Sequence, residues 1–188
     1  MNAGIGDLRV AAEQRARALI DRQLADAGWV VQDKKDLNLF VGQGIACREV
    51  VMKPGHGRVD YLLYVDRRVV GVIEAKPEGT TLSGVEWQSA VYATGLPPEA
   101  ERRATTIDGR LPFVFEASGS ETHFTNGYDP NPRARRIFAV PRPSTLATII
   151  RDAEADPANP TNHGLRSFQS ADGRFRLPEA CRPGRPPD

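Results

Sequence analysis

Cysteine is nearly absent. Two residues, Cys47 and Cys181, lie far apart in 188, which excludes a disulfide framework and the close thiol spacing of a zinc site. Thiols this sparse fit a reducing compartment, and the expectation is a cytoplasmic protein. No apolar run approaches the 18 residues of a membrane span, and Met1 to Asp7 lacks the basic-then-apolar order of a secretory signal. Net charge is only +1, so attraction to nucleic acid or a membrane must come from a local patch. No nucleotide-binding GxxxxGK[ST] loop and no internal repeat is present. Lysine is scarce too: only Lys34, Lys35, Lys53 and Lys76 among 25 basic residues, so a lysine in a suggestive place carries weight. The remaining composition, 26% charged and 40% hydrophobic, is that of a globular chain of one domain.

Residues Asp7 to Trp29 carry apolar side chains at helical spacing (Ala12, Ala16, Leu19, Ile20, Leu24, Ala27), with Asp7 as the expected cap and Gly28 as the stop. Trp29 to Val31 predicts a short strand, Asp36 to Phe40 a helical stub, and Cys47 to Met52 a second strand. Lys53 to Gly57 must be a loop. The strongest strand signal follows. Arg58 to Val65 and Val69 to Ala75 are rich in β-branched and aromatic residues and are separated by Asp66-Arg67-Arg68, which predicts a hairpin. Pro77 to Thr81 reads as a loop. Ser83-Gly84-Val85-Glu86 is a capping box for a helix through about Ala93, ended by Gly95 and Pro97. Leu111 to Ala117 and Glu121 to Thr125 predict a second hairpin around Gly119-Ser120. Arg136 to Val140 predicts a strand, and Ser144 to Ala153 a helix. The pattern thus gives a folded unit over residues 1–156 and a Pro-rich, unstructured tail over 157–188.

The hairpin holds the candidate chemistry. Side chains alternate along a strand, so Glu74 and Lys76 project from one face. With a three-residue loop, Val65 pairs with Val69 and Asp60 falls directly opposite Glu74, with Cβ atoms about 5 Å apart. Two carboxylates that close repel unless a positive charge lies between them, and an oxygen-seeking divalent cation, Mg²⁺ above all, is the natural resolution. A two-residue loop would slip the register by one and send the pair to opposite faces. The Glu-x-Lys triplet alone is weak, since about 0.2 are expected by chance, and a surface pair of Glu74 with Lys76 is worth under about 1 kcal/mol. Both acids, however, interrupt strands that are otherwise apolar. Gln88 and Tyr92 lie four apart on the capped helix and so share a face, a spacing that by itself is more often a plain helix surface. Glu13 shares a helix face with Arg17 and Asp21, where an ordinary solvated pair of Glu13 with Arg17 is the simpler reading.

Asp60 followed by Glu74-x-Lys76 between two helices resembles the PD-(D/E)xK nuclease superfamily, and Gln88-x-x-x-Tyr92 resembles the additional motif of its RecB-like members. The wording Glu13-x-x-x-Arg17-x-x-Ile20-Asp21-x-x-Leu24-x-x-Ala27-Gly28-Trp29, then Gly55 to Leu63, then Ile73-Glu74-Ala75-Lys76, is similar to the N-terminal nuclease region of the R subunit of type I restriction enzymes. Softer likeness continues to about residue 156. The resemblance implies an α/β fold of the restriction-endonuclease-like kind: a mixed central sheet whose hairpin carries the active site, flanked by helices. It implies a Mg²⁺-dependent DNA endonuclease without sequence specificity of its own. Asp60, Glu74 and Lys76 would be catalytic, with Asp60, Glu74 and Glu13 toward the metal and Gln88 and Tyr92 toward the DNA backbone. Double-stranded DNA and the methyltransferase and specificity subunits are the implied partners, with no membrane. ATP would enter only through the motor region of a full R subunit, which this chain does not reach; a truncated or frame-shifted gene product, or a stand-alone domain, is the expectation. The superfamily's proline is replaced, since Arg58-Val59 precede Asp60. Two other functions compete: a catalytically silent assembly module of a restriction–modification complex, and a self-standing repair or resolvase-like nuclease.

Overall fold

The computed structural model describes residues 3–77, 88–118 and 120–155, with side chains from residue 14 onward and, after the gap, from residue 91. The expected tail, the capping box at Ser83 to Glu86 and Gly119 lie outside the described residues, as do the side chains of Glu13 and Gln88. Helix α1 (Ala3–Asp26) buries Ala16, Ile20 and Leu24, one residue per turn, against the sheet. It begins four residues before Asp7, which is therefore inside the helix and not its cap; Gly4 and Gly6 weaken a first turn without forbidding it. Its end follows expectation. Gly28 takes φ 85, its N–H bonds to the Ala25 carbonyl, and the Trp29 N–H reaches the Leu24 carbonyl, the paired bonds of a Schellman stop.

Among the described residues seven strands follow in one sheet, ordered as they occur in the chain: β1 (Val30–Asp33), β2 (Gly44–Val51), β3 (Arg58–Val65), β4 (Arg68–Ala75), β5 (Phe113–Ala117), β6 (Thr122–Asn126) and β7 (Arg135–Ile137). The β1–β2 and β4–β5 pairs are parallel and the rest antiparallel, so the sheet is mixed. The parallel β4–β5 step contains α2 (Gln88–Gly95) and the short α3 (Pro98–Glu101), the latter unforeseen because four residues carry no periodicity. Helix α4 (Pro143–Ala155) buries Leu146, Ile149 and Ile150.

The two faces have separate cores. Ile20 and Leu24 of α1 and the buried residues of α4 pack on Ala46, Tyr61, Leu63, Ile73, Phe113, Phe115 and Phe124, with Phe115 stacked on Phe124 at 4.5 Å between centroids. Ala93 of α2, Leu96 and Ala100 cover Cys47, Leu62, Tyr64, Val72 and Val114 on the other. A sheet buried on both faces explains why β3, β4 and β5 read as nearly unbroken apolar runs.

Two local expectations fail for identifiable reasons. The stub at Asp36 to Phe40 is instead a single 3-10 turn over Lys34–Asp36. Beyond it the Gln32 amide exchanges hydrogen bonds with the Asn38 backbone, and the Asn38 side chain accepts from the Phe40 N–H, so side chains take the bonds a helix would have used. The strand at Arg136 to Val140 is shortened to β7, because the chain turns inward: Val140 is buried and Trp29 Nε1 donates to the Pro141 carbonyl at 2.9 Å.

Cys47 lies wholly inside the second core, and burial pushes its thiol up to about 11. At neutral pH both the thiolate population and access are suppressed. In a Cys181→Ser background, Cys47 is expected to react with a thiol reagent at least about 100-fold more slowly in native than in denatured protein. A native rate near that of a free thiol would contradict this burial.

Candidate functional site

The hairpin turn is two residues, not three. Asp66 and Arg67 both occupy the left-handed region, with φ of 48 and 68, which is the primed turn that matches strand twist. Arginine is an unusual occupant, and contacts outside the hairpin hold it: its guanidinium lies 5.4 Å over the Phe40 ring, while the Asp66 N–H bonds to the Gln43 carbonyl. The ladder accordingly starts one residue out of the expected phase, with Val65 opposite Arg68 and Tyr64 opposite Val69. A β-bulge then absorbs Val70, and pairing resumes as Leu63–Gly71, Leu62–Val72 and Tyr61–Ile73. Continued by one step, that register sets Asp60 opposite Glu74. The loop is two residues and not three, and the bulge at Val70 restores the expected phase as far as Tyr61–Ile73.

At the open end of the hairpin, side chains replace ladder bonds. Asp60 Oδ2 accepts from the Ala75 backbone N–H at 2.9 Å, tying β3 to β4. Asp60 Oδ1 accepts from Arg17 of α1, at 3.2 Å from Nε and 2.8 Å from Nη2. Glu74 Oε1 accepts from the Tyr92 hydroxyl of α2 at 2.7 Å, and Glu74 Oε2 stands 3.5 Å from Lys76 Nζ. Both carboxylates are 15% exposed, which leaves these contacts poorly screened by water. Burial, then the hydrogen bond to Glu74, raises the Tyr92 phenol far above its usual range, so it remains a donor.

Thus Asp60, Glu74, Lys76 and Tyr92 converge at one end of the hairpin, with α1 on one side and α2 on the other. Glu13 and Gln88 belong to those two helices, but their side chains lie outside the described set. Sequence reasoning missed the role of Arg17. It reaches Asp60 at 2.8 Å and also Glu49 at 3.0 Å. Its place on the Glu13–Asp21 helix face was the available signal. Glu49 sits at φ 50 on β2, between the pairs Arg48–Tyr61 and Val50–Val59, so the same register leaves it opposite Asp60. Asp21 accepts from Arg48 at 2.8 Å and from the Tyr61 hydroxyl at 2.8 Å, fixing α1 to the sheet. These groups line an open cleft of about 240 Å³ bounded by Gln14, Arg17, Asp21, Arg48, Glu49 and Asp60. A larger cavity of about 400 Å³, bounded by Ile107 to Pro112 and Gly127 to Pro132, includes none of the sequence-predicted site residues.

The donors at the hairpin are hard oxygens, the kind Mg²⁺ takes. Among the described residues no three His, Cys, Asp or Glu side chains stand together as a metal-binding group. An ion here would rest on two carboxylates, completed by main-chain or water oxygens. Asp60 and Glu74 fit that demand: they come from adjacent strands, and each now has a cationic side chain in contact, where an ion's charge would otherwise act.

A mixed sheet covered by helices on both faces, with acids and a lysine at one hairpin end, is compatible with the core of a restriction-endonuclease-like protein. The chain belongs to the family described as the second domain of the type I restriction enzyme EcoKI endonuclease subunit, which matches residues 7–125. The matched stretch runs from α1 through most of β6 and contains Glu13, Asp60, Glu74, Lys76, Gln88 and Tyr92. No curated protein and no solved structure matches the chain. Among the described residues, no helix is long and apolar enough to cross a membrane.

Proposed function

We propose that this chain is a Mg²⁺-dependent DNA endonuclease domain of a type I restriction enzyme R subunit, hydrolysing phosphodiester bonds without sequence preference of its own. The observation that supports the reading is the bulge-corrected hairpin, whose last pair, Tyr61–Ile73, stands one step before Asp60 and Glu74, with Lys76 3.5 Å from Glu74. Family membership supports the restriction context.

Asp60 and Glu74 would hold the ion, with the Ala75 carbonyl as a further oxygen. When bound, Mg²⁺ lowers the pKa of a coordinated water and withdraws charge from the phosphoryl group. The chain's own residues prepare the site. The Ala75 N–H and Arg17 fix the Asp60 carboxylate from two directions, and Tyr92 fixes Glu74, so neither acid must be ordered at the moment of reaction. Lys76 would orient or deprotonate the attacking water, or stabilise charge on the phosphoryl oxygens. Gln88, four residues before Tyr92 on α2, would contact the DNA backbone or the ion's outer sphere, and Glu13 on α1 would hold a metal-bound water or a second ion. Methyltransferase and specificity subunits would supply site recognition in the assembled complex.

The test is relaxation of supercoiled plasmid by the purified chain with Mg²⁺, against an EDTA control and Lys76→Ala. Metal-dependent nicking is expected, with the variant at least about 100-fold slower. Undiminished nicking by Lys76→Ala would remove that residue from the mechanism.

A second reading, a catalytically silent assembly module, draws on the pairing of both carboxylates with Arg17 and Lys76, which satisfies the fold without an ion. It predicts co-purification with methyltransferase and specificity subunits and no nicking at any Mg²⁺ concentration.

A further inference from the structure

Glu116 is the single charged residue of β5, a strand otherwise made of Phe113, Val114, Phe115 and Ala117. It is only 5% exposed, and its Oε2 has no hydrogen-bond partner among the described residues. A buried carboxylate oxygen left unpaired costs free energy comparable to a lost charged hydrogen bond, so its retention calls for a partner that arrives in some state of the protein. The parallel register places Glu116 directly beside Glu74, and the opposite neighbour on β6 is His123. Burial pushes the Glu116 carboxyl up, with Lys76 drawing it down and Glu74 adding to the rise.

Both oxygens of Glu74 are engaged, Oε1 by Tyr92 and Oε2 by Lys76. A divalent cation cannot share Oε2 with an ammonium at 3.5 Å without strong repulsion. Lys76 must then leave that oxygen, and its side chain, 32% exposed, has open solvent as the default destination. We propose that Glu116 is a positioning residue for Lys76: its unpaired oxygen receives the ammonium when an ion occupies Glu74, and so keeps Lys76 at the reacting end of the hairpin. The inference rests on the reading of Asp60 and Glu74 as a cation site.

With four lysines in the chain, side-chain ¹³Cε resonances are few enough to follow, and Lys76→Arg identifies the one that matters. Titrating the full chain with Mg²⁺ alone is expected to move the Lys76 resonance to a new, still shifted position. In Glu116→Gln the same titration should carry it to the value of the exposed Lys35, while the Mg²⁺ midpoint stays within about twofold and plasmid nicking falls about 30-fold in kcat with KM for DNA unchanged. Glu116→Asp, which keeps the charge, should recover part of that loss. The glutamine variant should melt no lower than the parent, since it removes a buried charge and keeps the shape.

A Lys76 resonance indifferent to residue 116 overturns the proposal. So does a tenfold change in the Mg²⁺ midpoint, which would make Glu116 a ligand of the ion, or early melting of Glu116→Gln, which would make its role packing. If Mg²⁺ leaves the Ala75 amide and every other resonance of the hairpin end unmoved, the cation site itself fails; a response there without one at Lys76 defeats only the role of Glu116.

Discussion

Gly71→Ala is expected to destabilise the chain by about 3 kcal/mol and lower its melting temperature by about 10 °C. Gly71 lies at the centre of the sheet, opposite Phe113 of β5, and an added Cβ would sit 2.2 Å from the Phe113 carbonyl oxygen and 2.9 Å from its Cβ. The obstacle is backbone in a strand hydrogen-bonded on both sides, so it cannot rotate away like a side chain. Separating β4 from β5 to make room would loosen the ladder that ends at Glu74–Glu116 and Ala75–Ala117. Gly28→Ala provides the comparison. Gly28 has φ 85 but nothing within 4 Å of its added Cβ, so only backbone strain of about 1 kcal/mol applies. Calorimetry on both variants separates steric collision from conformational strain; equal losses would mean that the β4–β5 approach is looser than described.

Asp60→Asn is expected to abolish Mg²⁺-dependent nicking, by at least about 100-fold, and to lose the stabilisation that Mg²⁺ confers on the parent chain. For a site of roughly millimolar affinity, 10 mM Mg²⁺ should stabilise the parent by about 1.4 kcal/mol, and the variant by nothing measurable. The substitution also acts without metal. Asp60 accepts three hydrogen bonds, two from Arg17 and one from the Ala75 N–H, and an amide has only one oxygen with which to accept. Its NH₂ group must therefore face a donor, costing about 1–3 kcal/mol. Measuring unfolding with and without Mg²⁺ distinguishes the two effects. A variant that still gains stability from Mg²⁺ would show the ion resting elsewhere.

Much of this architecture is legible in the residues alone. Period-3.6 spacing finds α1 and α4, and the dense β-branched runs find β3 through β6, because burial on two faces leaves few other residue types possible. The reason Asp60 and Glu74 stand out is the same: an acid in such a run has no place in a plain core. Legibility stops where distant parts of the chain decide the outcome. The Asp66–Arg67 turn is permitted by Phe40 and Gln43, neither of which belongs to the hairpin, and nothing in the string Tyr64 to Gly71 marks Val70 as the residue to be bulged. Arg17 was visible as a helix residue but not as the partner of Asp60, 43 positions away. Glu116 interrupts the apolar run of β5 in the same way, and that signal was available, but only the sheet register brings it beside Glu74.

The strand order has a kinetic consequence. Each strand pairs with its immediate predecessor in the chain, so no pairing requires a late segment to be threaded between two early ones. Closure costs little entropy for the β3–β4 and β5–β6 hairpins, whose connections are short, and more for the β4–β5 step, which spans α2 and α3. During synthesis β1 to β4 can zip together as soon as they emerge, which would bring Asp60 and Glu74 face to face before β5 exists. Each added strand covers one edge of the growing sheet, while β1 forms the other edge from the start.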